Sequence, residues 1–337
     1  MLKLNIELNK FESNKNLGPI NFMPFGDKNT LIALSNFYHL TPVIIKLKAE
    51  GRLNWIGVFF IKEIKGEKCL FSGGRFGFLG FHEKVKICPL NHYLNEIEKL
   101  CIEENIKLIS IADSYLKSDK ENHLKKKAGW NLKEVTYLVA NVKESVSAGK
   151  LSFSKSQKRS NVSRALKNAH NQSLKFDISK SIEQLIDWYE NCHLKRIEEL
   201  SGKSWDLKLF KDLITMGSGE IVSIYNDNNE ILGGCFIINS SEVLELFMMS
   251  TPQINQKKNV NYFLTEVLYK LAFERGNKYI NWQASNPPTG SLINFKLNWN
   301  CKPMNFQILN KNFGSKLNEE TIKIVCKDLF VYPYSML

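Results

Sequence analysis

The chain has 337 residues, 43% of them hydrophobic and 24% charged, with 46 basic against 34 acidic side chains and a formal net charge of +12. It is longer than one ordinary core, so two domains are expected, with the composition of a soluble globular protein. No apolar run approaches the roughly 20 residues that span a bilayer, and Met1–Glu7 lacks the apolar stretch of a signal peptide, which predicts a cytoplasmic protein without an integral membrane segment.

The first 30 residues read as irregular, with breakers at Gly18-Pro19 and Met23-Pro24. Pro42 to Lys48 reads as a strand. Leu53 to Glu63 is a second, with Trp55, Gly57, Phe59 and Ile61 alternating on one face. Gly66 marks a turn, and Lys68 to Ser72 returns as a hairpin. Gly73 to Gly80 is glycine-rich but fits neither phosphate-loop nor dinucleotide spacing. Its glycines suit backbone that approaches a neighbouring strand or a ligand. Leu90 to Asn105 is helical, with Leu90, Leu94, Ile97, Leu100 and Cys101 on one face. Ile106 to Ala112 is a strand, Lys127 to Trp130 closes a short basic helix, Val135 to Val142 is a strand, and Ser145 to Lys150 reads as a linker.

The second half repeats this order. Ser181-Ile182-Glu183-Gln184 is a capping box that opens a helix to about Leu200, with Ile182, Leu185, Ile186, Tyr189, His193 and Ile197 on one face. Strands follow at Glu220 to Tyr225, Ile231 to Ile238 and Val243 to Met249, with a turn at Asn226 to Asn229. Tyr262 to Arg275 is a helix stopped by Gly276. Tyr279 to Trp282 is a buried strand, Pro287-Pro288 breaks the chain, Leu292 to Trp299 is a short helix, and Asn305 to Leu309 is a strand. Glu319 to Phe330 suggests a last helix.

The halves also match in spacing. Lys127 precedes Trp130 by three residues and Trp130 precedes Tyr137 by seven; Lys296, Trp299 and Phe306 repeat both intervals. An internal duplication follows, with a period too long for a solenoid. The fold class is α/β with mixed sheets, in two similar domains side by side and a ligand cleft between them. The expected divisions are 1–149, 150–312, and a C-terminal helix or tail at 313–337.

The positive balance favours anionic partners, among them nucleic acid, nucleotide-linked substrates, coenzyme A and a membrane surface. Seven scattered cysteines, none in Cys-x-x-Cys spacing, argue for reduced thiols rather than a disulfide frame or zinc site. Six histidines show no paired spacing, so no metal is expected, and His193 reads as a packed residue. Trp188, Trp205 and Trp282 read as core or pocket walls.

Two segments carry the chemistry. Six Lys/Arg and no acid lie between Leu151 and Phe176. There, Val162, Ala165, Leu166 and Ala169 form a docking stripe, and Lys158, Asn161, Arg164 and Asn168 share the outward face. Such a face suits a diphosphate, which arginine binds bidentately; a solvated surface helix is the bland reading. The second segment is Gly290-Ser291-Leu292-Ile293-Asn294-Phe295-Lys296-Leu297-Asn298-Trp299. Phe295 is expected to anchor its short helix in the core and so turn Lys296 the other way. Lys296 is then placed to meet a carbonyl or phosphate, unless it is an ordinary surface lysine.

With the layout, these segments (the second together with Lys158 to Ala169) resemble the FemAB-like and BioF2-like branch of the GNAT acyltransferases, which has two GNAT-like domains in tandem. The resemblance implies that Lys296 lies in the active site and stabilises an oxyanion or a departing phosphate. It implies Arg159 and Arg164, with Lys158, as grips on a phosphorylated substrate, and a first domain, keeping Lys127 and Trp130, that shapes the cleft. Glu242 and Glu245 sit on opposite faces of their strand, so one at most faces a cleft; Glu245 is the candidate base. Trp282, Gln283, Ser285, Ser291 and Phe295 are candidate substrate contacts. The branch pattern has an acidic residue near Gln283 that is absent here. Coenzyme A enzymes of this fold carry a glycine turn before the main helix, where the helix N-terminus binds pyrophosphate. Here Gln256 to Tyr262 holds no glycine, though Lys257 and Lys258 supply positive charge.

The expected activity is N-acyl transfer of an acyl or aminoacyl group to an amine of a cell-envelope or polysaccharide precursor, a nucleotide-linked amino sugar or muropeptide. The donor is aminoacyl-tRNA or acyl-CoA, no cofactor is held permanently, and DNA is not a partner. The alternatives are a CoA-dependent amino-sugar N-acetyltransferase and a non-catalytic module that holds tRNA or an anionic glycan. No long heptad arm is present, which favours a small acceptor.

Overall fold

The computed structural model describes residues 4–10, 27–49, 52–71, 82–83, 90–112, 129–152, 157–284, 290–314, 317 and 320–321. Two expected elements, the glycine-rich loop Gly73 to Gly80 and most of the helix Glu319 to Phe330, lie outside them. So do Lys127, Ser285 and the proline pair 287–288. The chain forms two compact units, one of residues 1–135 and 305–337, the other of residues 136–304.

The first unit starts with β1 (Leu4–Lys10), α1 (Lys28–Tyr38), β2 (Thr41–Ala49), β3 (Arg52–Ile64), β4 (Glu67–Phe71) and the short β5 (His82–Glu83). Then come α2 (Leu90–Glu103) and β6 (Ile106–Ala112). β1 to β4 pair antiparallel in chain order, and β4 then pairs parallel with β6. β1 and α1 lie in stretches given no element in the sequence reading. The alternation Leu4, Ile6, Leu8 is a strand period, and Asp27 accepts from the backbone N–H of Asn29 and Thr30, a helix cap. The expected face of α2 is confirmed: Leu94, Ile97, Leu100 and Cys101 are buried against Ile106, Ile109 and Ile111.

The second unit receives the end of β7 (Asn131–Asn141), then α3 (Val142–Ser145) and a small hairpin of β8 (Val146–Ser147) and β9 (Lys150–Leu151) where a plain linker was expected. α4 (Gln157–His170), β10 (Lys175–Ser179) and α5 (Ile182–Trp188) follow. α5 runs into a π-helical turn at Tyr189–Leu194 and then α6 (Lys195–Glu199). Next come α7 (Leu207–Thr215), β11 (Gly219–Tyr225), β12 (Ile231–Asn239), β13 (Val243–Ser250), α8 (Gln253–Gln256), α9 (Val260–Glu274), β14 (Tyr279–Ala284), α10 (Ser291–Leu297) and β15 (Cys301–Asn312). Ser181 caps α5 as its sequence predicts, accepting from the N–H of Glu183 and Gln184.

β10 to β13 pair antiparallel in chain order, and β13 pairs parallel with β14. This repeats the plan of β1 to β6, with α9 in the place of α2. The final strand of each half completes the other unit's sheet. Residues of β7 from Tyr137 to Asn141 pair with β14, and residues of β15 from Ile308 to Asn312 pair with β6.

One face of the second sheet packs on α4 and α9 through Val162, Ala169, Leu244, Leu246, Leu264, Leu268 and Trp299. This confirms the apolar stripe expected of α4. The other face carries a ring cluster of Trp188, Tyr189, His193, Phe210, Phe236 and Phe247.

Candidate active site

The site forms where two parallel strands part. β13 and β14 pair at Val243 with Tyr279, Leu244 with Ile280 and Glu245 with Asn281. Beyond that point β13 continues to Ser250 and β14 to Ala284, and the described pairing stops. Ligands of sheets with parallel strands bind outside the carboxyl ends of those strands, where neighbours lead apart.

Both strands are irregular at this point. On β13, Phe236 opposes Met248 and Ile237 opposes Leu246, so Phe247 is an extra residue. On β14, Trp282 and Gln283 together oppose Leu138, since Asn281 pairs with Val139 and Ala284 with Tyr137. Bulges of this kind bend a strand and re-aim its side chains. Gln283 takes φ 64°, left-handed backbone that a non-glycine residue adopts at a cost of about 1 kcal/mol or more. Its N–H is held by Asn281 Oδ1 at 3.1 Å.

Asn281 meets Glu245 as its direct cross-strand partner, and Gln283, within the bulge, reaches it too. Glu245 is fully buried, and Asn281 Nδ2 donates to both of its oxygens, at 2.7 and 2.9 Å. Gln283 Nε2 donates to Glu245 Oε1 as well. Burial pushes the Glu245 carboxyl up to about 8, with the two amide donors pulling the other way. Glu242, by contrast, forms an exposed ion pair with Lys278.

Lys296 reaches the same strand end from α10. Its Nζ donates to the Trp282 carbonyl at 2.7 Å. The expected orientation is reversed: Lys296 is 6% exposed, whereas Phe295 is only partly buried. Phe295 lies on Tyr262, Trp282 and Trp299 by ring contacts, at the margin of the core. α10 has about two turns, and its buried residue is Lys296, with Trp299 buried just beyond its end. Burial lowers the Lys296 ammonium to about 8. Behind it, Trp282 Nε1 donates to Tyr269 Oη, which donates to the Trp299 carbonyl at 2.6 Å. That network fixes the strand end from below.

The structure thus brings together Glu245, Trp282, Gln283, Phe295 and Lys296. Ser291 is exposed at the first turn of α10. Arg164 is exposed on α4 and bonds Asn161. Lys158 and Arg159 fall in the first turn of α4 by backbone, and their side chains lie outside the described residues. Asn281, which the sequence reading passed over, is the principal partner of Glu245. Its signal is a lone amide inside the apolar run Tyr279 to Trp282.

Lys257 and Lys258 are exposed just before α9. The turn there needs no glycine, because Asn259 supplies the left-handed backbone with φ 59°. Asparagine tolerates that region better than most residues. No acidic residue occupies the first turn of α9. Among the described residues, no group of three or more His, Cys, Asp or Glu side chains comes together as metal ligands would. No helix among them is long and apolar enough to cross a membrane.

No protein-family model matches the chain, and no curated protein matches it. Solved structures do. FemX superposes with a TM-score of 0.59 at 11% identity, over 82% of this chain and 89% of its own. L-PGS from Bacillus licheniformis gives 0.51 at 12% identity, over 78% and 82%. A tandem GNAT protein from the clavulanic acid biosynthesis pathway gives 0.51 at 8% identity, over 93% and 100%. The chain has a FemAB-like, GNAT-type acyltransferase fold, α/β with mixed sheets and duplicated in tandem.

Proposed function

We propose that this protein is an N-acyltransferase that moves an acyl or aminoacyl group onto the amine of a cell-envelope or polysaccharide precursor, such as a nucleotide-linked amino sugar or muropeptide. The observation that carries it is one bulged strand end. Asn281 and Gln283 hold a buried carboxylate there, and the carbonyl of the residue between them holds a buried lysine. Both groups titrate near pH 8, the range useful for proton transfer and for a switchable positive charge.

In this reading Glu245, once ionised, takes a proton from the acceptor ammonium. The freed amine attacks the donor carbonyl carbon, and the C=O electron pair moves to oxygen. The Lys296 ammonium stabilises that oxyanion in a site of low dielectric. Collapse breaks the bond from carbon to the tRNA oxygen or the thiol sulfur, the extra proton on the attacking nitrogen passes to that leaving atom, and the amide remains. Arg164, with Lys158 and Arg159, would hold the phosphates of the acceptor. The donor is aminoacyl-tRNA or acyl-CoA, and neither is a resident cofactor.

The Asn259 turn favours a second reading within the same chemistry, a CoA-dependent amino-sugar N-acetyltransferase. It offers the backbone turn and the open helix N-terminus that a pyrophosphate needs.

The test is a melting-temperature comparison with acetyl-CoA, aminoacyl-tRNA and UDP-linked amino sugars, repeated on Lys296→Ala, followed by labelled acyl transfer. A ligand that binds only the folded chain raises the melting temperature. Transfer from aminoacyl-tRNA supports the first reading and transfer from acetyl-CoA the second. RNA or glycan binding that is steep in salt, without turnover, would replace both with a binding module.

A further inference from the structure

The helix that begins at Ser181 changes its winding at Tyr189–Leu194, where a π-helical turn separates α5 from α6. Such turns insert one residue and re-aim the side chains that follow; they recur at functional sites. Here the turn places His193 fully inside the unit. Its ring stacks on Trp188, centroids 5.3 Å apart, and meets Phe210 and Tyr189.

An imidazole among rings is costly, and burial lowers its pKa to about 4, so the ring is neutral at ordinary pH. One polar bond is made in return, Nδ1 with Ser250 Oγ at 2.9 Å. The other nitrogen, Nε2, is buried and has no hydrogen-bond partner. A phenylalanine would pack in this place without that penalty, so the bond to Ser250 is what the histidine adds.

Ser250 is the last residue of β13. It stands opposite Gly234 of β12, five residues beyond the last pair that β13 makes with β14. The same helix holds the chain again just beyond. Glu199, paired with Arg196, accepts the Gln253 N–H with both oxygens, at 2.8 and 2.9 Å. Tyr189 Oη bonds Ser204 and the Trp205 carbonyl, and the Trp205 ring rests on Phe247, the bulged residue.

We propose that His193 is a positioning residue for acyl transfer: through Ser250 it reinforces the hold of β12 on the half of β13 beyond Glu245, and so keeps the gap where β13 and β14 part. The proposal rests on reading that gap as the acyl-transfer site. His193 touches no reacting atom. Its contribution is to the shape of the strand end and to the start of the segment that leads into α9.

Hydrogen–deuterium exchange on the full chain tests it. His193→Asn keeps an amide near the Nδ1 position, whereas His193→Gln moves it toward the Nε2 position. Ser250→Ala deletes the bond and leaves the ring. We expect Ser250→Ala and His193→Gln to speed exchange of peptides spanning 246–256 by about tenfold, with His193→Asn close to wild type and β11 unchanged in all. Equal exchange in the Asn and Gln variants would mean that the ring only fills space, and an unchanged Ser250→Ala would overturn the clamp outright. Should the His193 variants fail to fold, Ser250→Ala alone decides. Exchange needs no donor. A wild-type protein that takes neither acetyl-CoA nor aminoacyl-tRNA would therefore remove the acyl-transfer reading while leaving the exchange result to stand or fall separately.

Discussion

Glu245 and Lys296 need opposite protonation states for the same reaction. The base must be ionised, above about pH 8, and the cation must be charged, below about pH 8. The expected pH profile of acyl transfer is a narrow bell centred near pH 8, measured as kcat/KM across pH 6 to 10 in steps of about half a unit. Glu245→Gln is expected to lower the rate at least about a hundredfold, the lower bound usual for a positioned base. A broad plateau from pH 6 to 9 would exclude the pair as base and oxyanion partner. The same shifts act on stability with opposite signs. Lys296 has a folded pKa below its ordinary 10.5, so the unfolded chain binds the extra proton between about pH 8 and 10.5, and stability rises across that window. Below it the full penalty is present, on the order of 3 kcal/mol before the Trp282 hydrogen bond is counted. Lys296→Met is expected to melt higher than wild type at pH 7 while losing transfer, which thermal unfolding and turnover of the same preparation will show. Glu245 has a folded pKa above its ordinary 4.5, so stability falls as pH rises from about 4.5 to about 8. In Glu245→Gln that slope should vanish.

At the scale of elements, strand β12 shows how closely the sheet is covered. A Cβ on Gly234 would stand 2.6 Å from the Val222 carbonyl and 2.8 Å from Trp188 Cδ1. Backbone cannot yield as a flexible side chain can, so Gly234→Ala is expected to cost about 1–3 kcal/mol in urea unfolding. Periodicity made most such elements legible. The stripe of α2 depends on which residues face a core, and burial rewards that pattern directly, whereas β3 buries Val58 and Phe60 as fully as Phe59, so its alternation marked a strand without marking a face. β1 was equally periodic but short and polar between its apolar residues, so the nearby Gly-Pro breakers outweighed it. The candidate site was legible in part. Lys296 stood out by its place in a motif, but its direction did not, because about two helical turns give too few apolar positions to fix a face. Asn281, the bulge at Gln283 and the π-helical turn left no periodic trace. Each is a local departure from the regular period, and such departures are decided by tertiary contacts.

At the scale of the whole chain, duplication and strand exchange set what can fold alone. The second unit is one continuous stretch, residues 136–304, and contains all of β10 to β14 with the part of β7 that pairs to β14. The first unit is not continuous. Its sheet includes β15 residues from Ile308 to Asn312, which the ribosome makes almost two hundred residues after β6. One ion pair there makes the dependence specific: Lys311 bonds Glu98 at 3.0 Å, and Glu98 also accepts from Trp130 Nε1. A fragment of residues 1–135 loses Lys311 and with it this ion pair to Glu98. It also exposes the β6 edge, where backbone groups paired with β15 become a template for aggregation. Fragment 136–304 is therefore expected to unfold cooperatively in calorimetry, and fragment 1–135 to give no sharp transition and to aggregate. Fusing residues 305–337 to the end of the short fragment through a flexible linker of about ten residues should restore a transition. A sharp transition in 1–135 alone would show that β15 is an accessory to that sheet, and that the exchanged strands do not bind the two halves into one folding event.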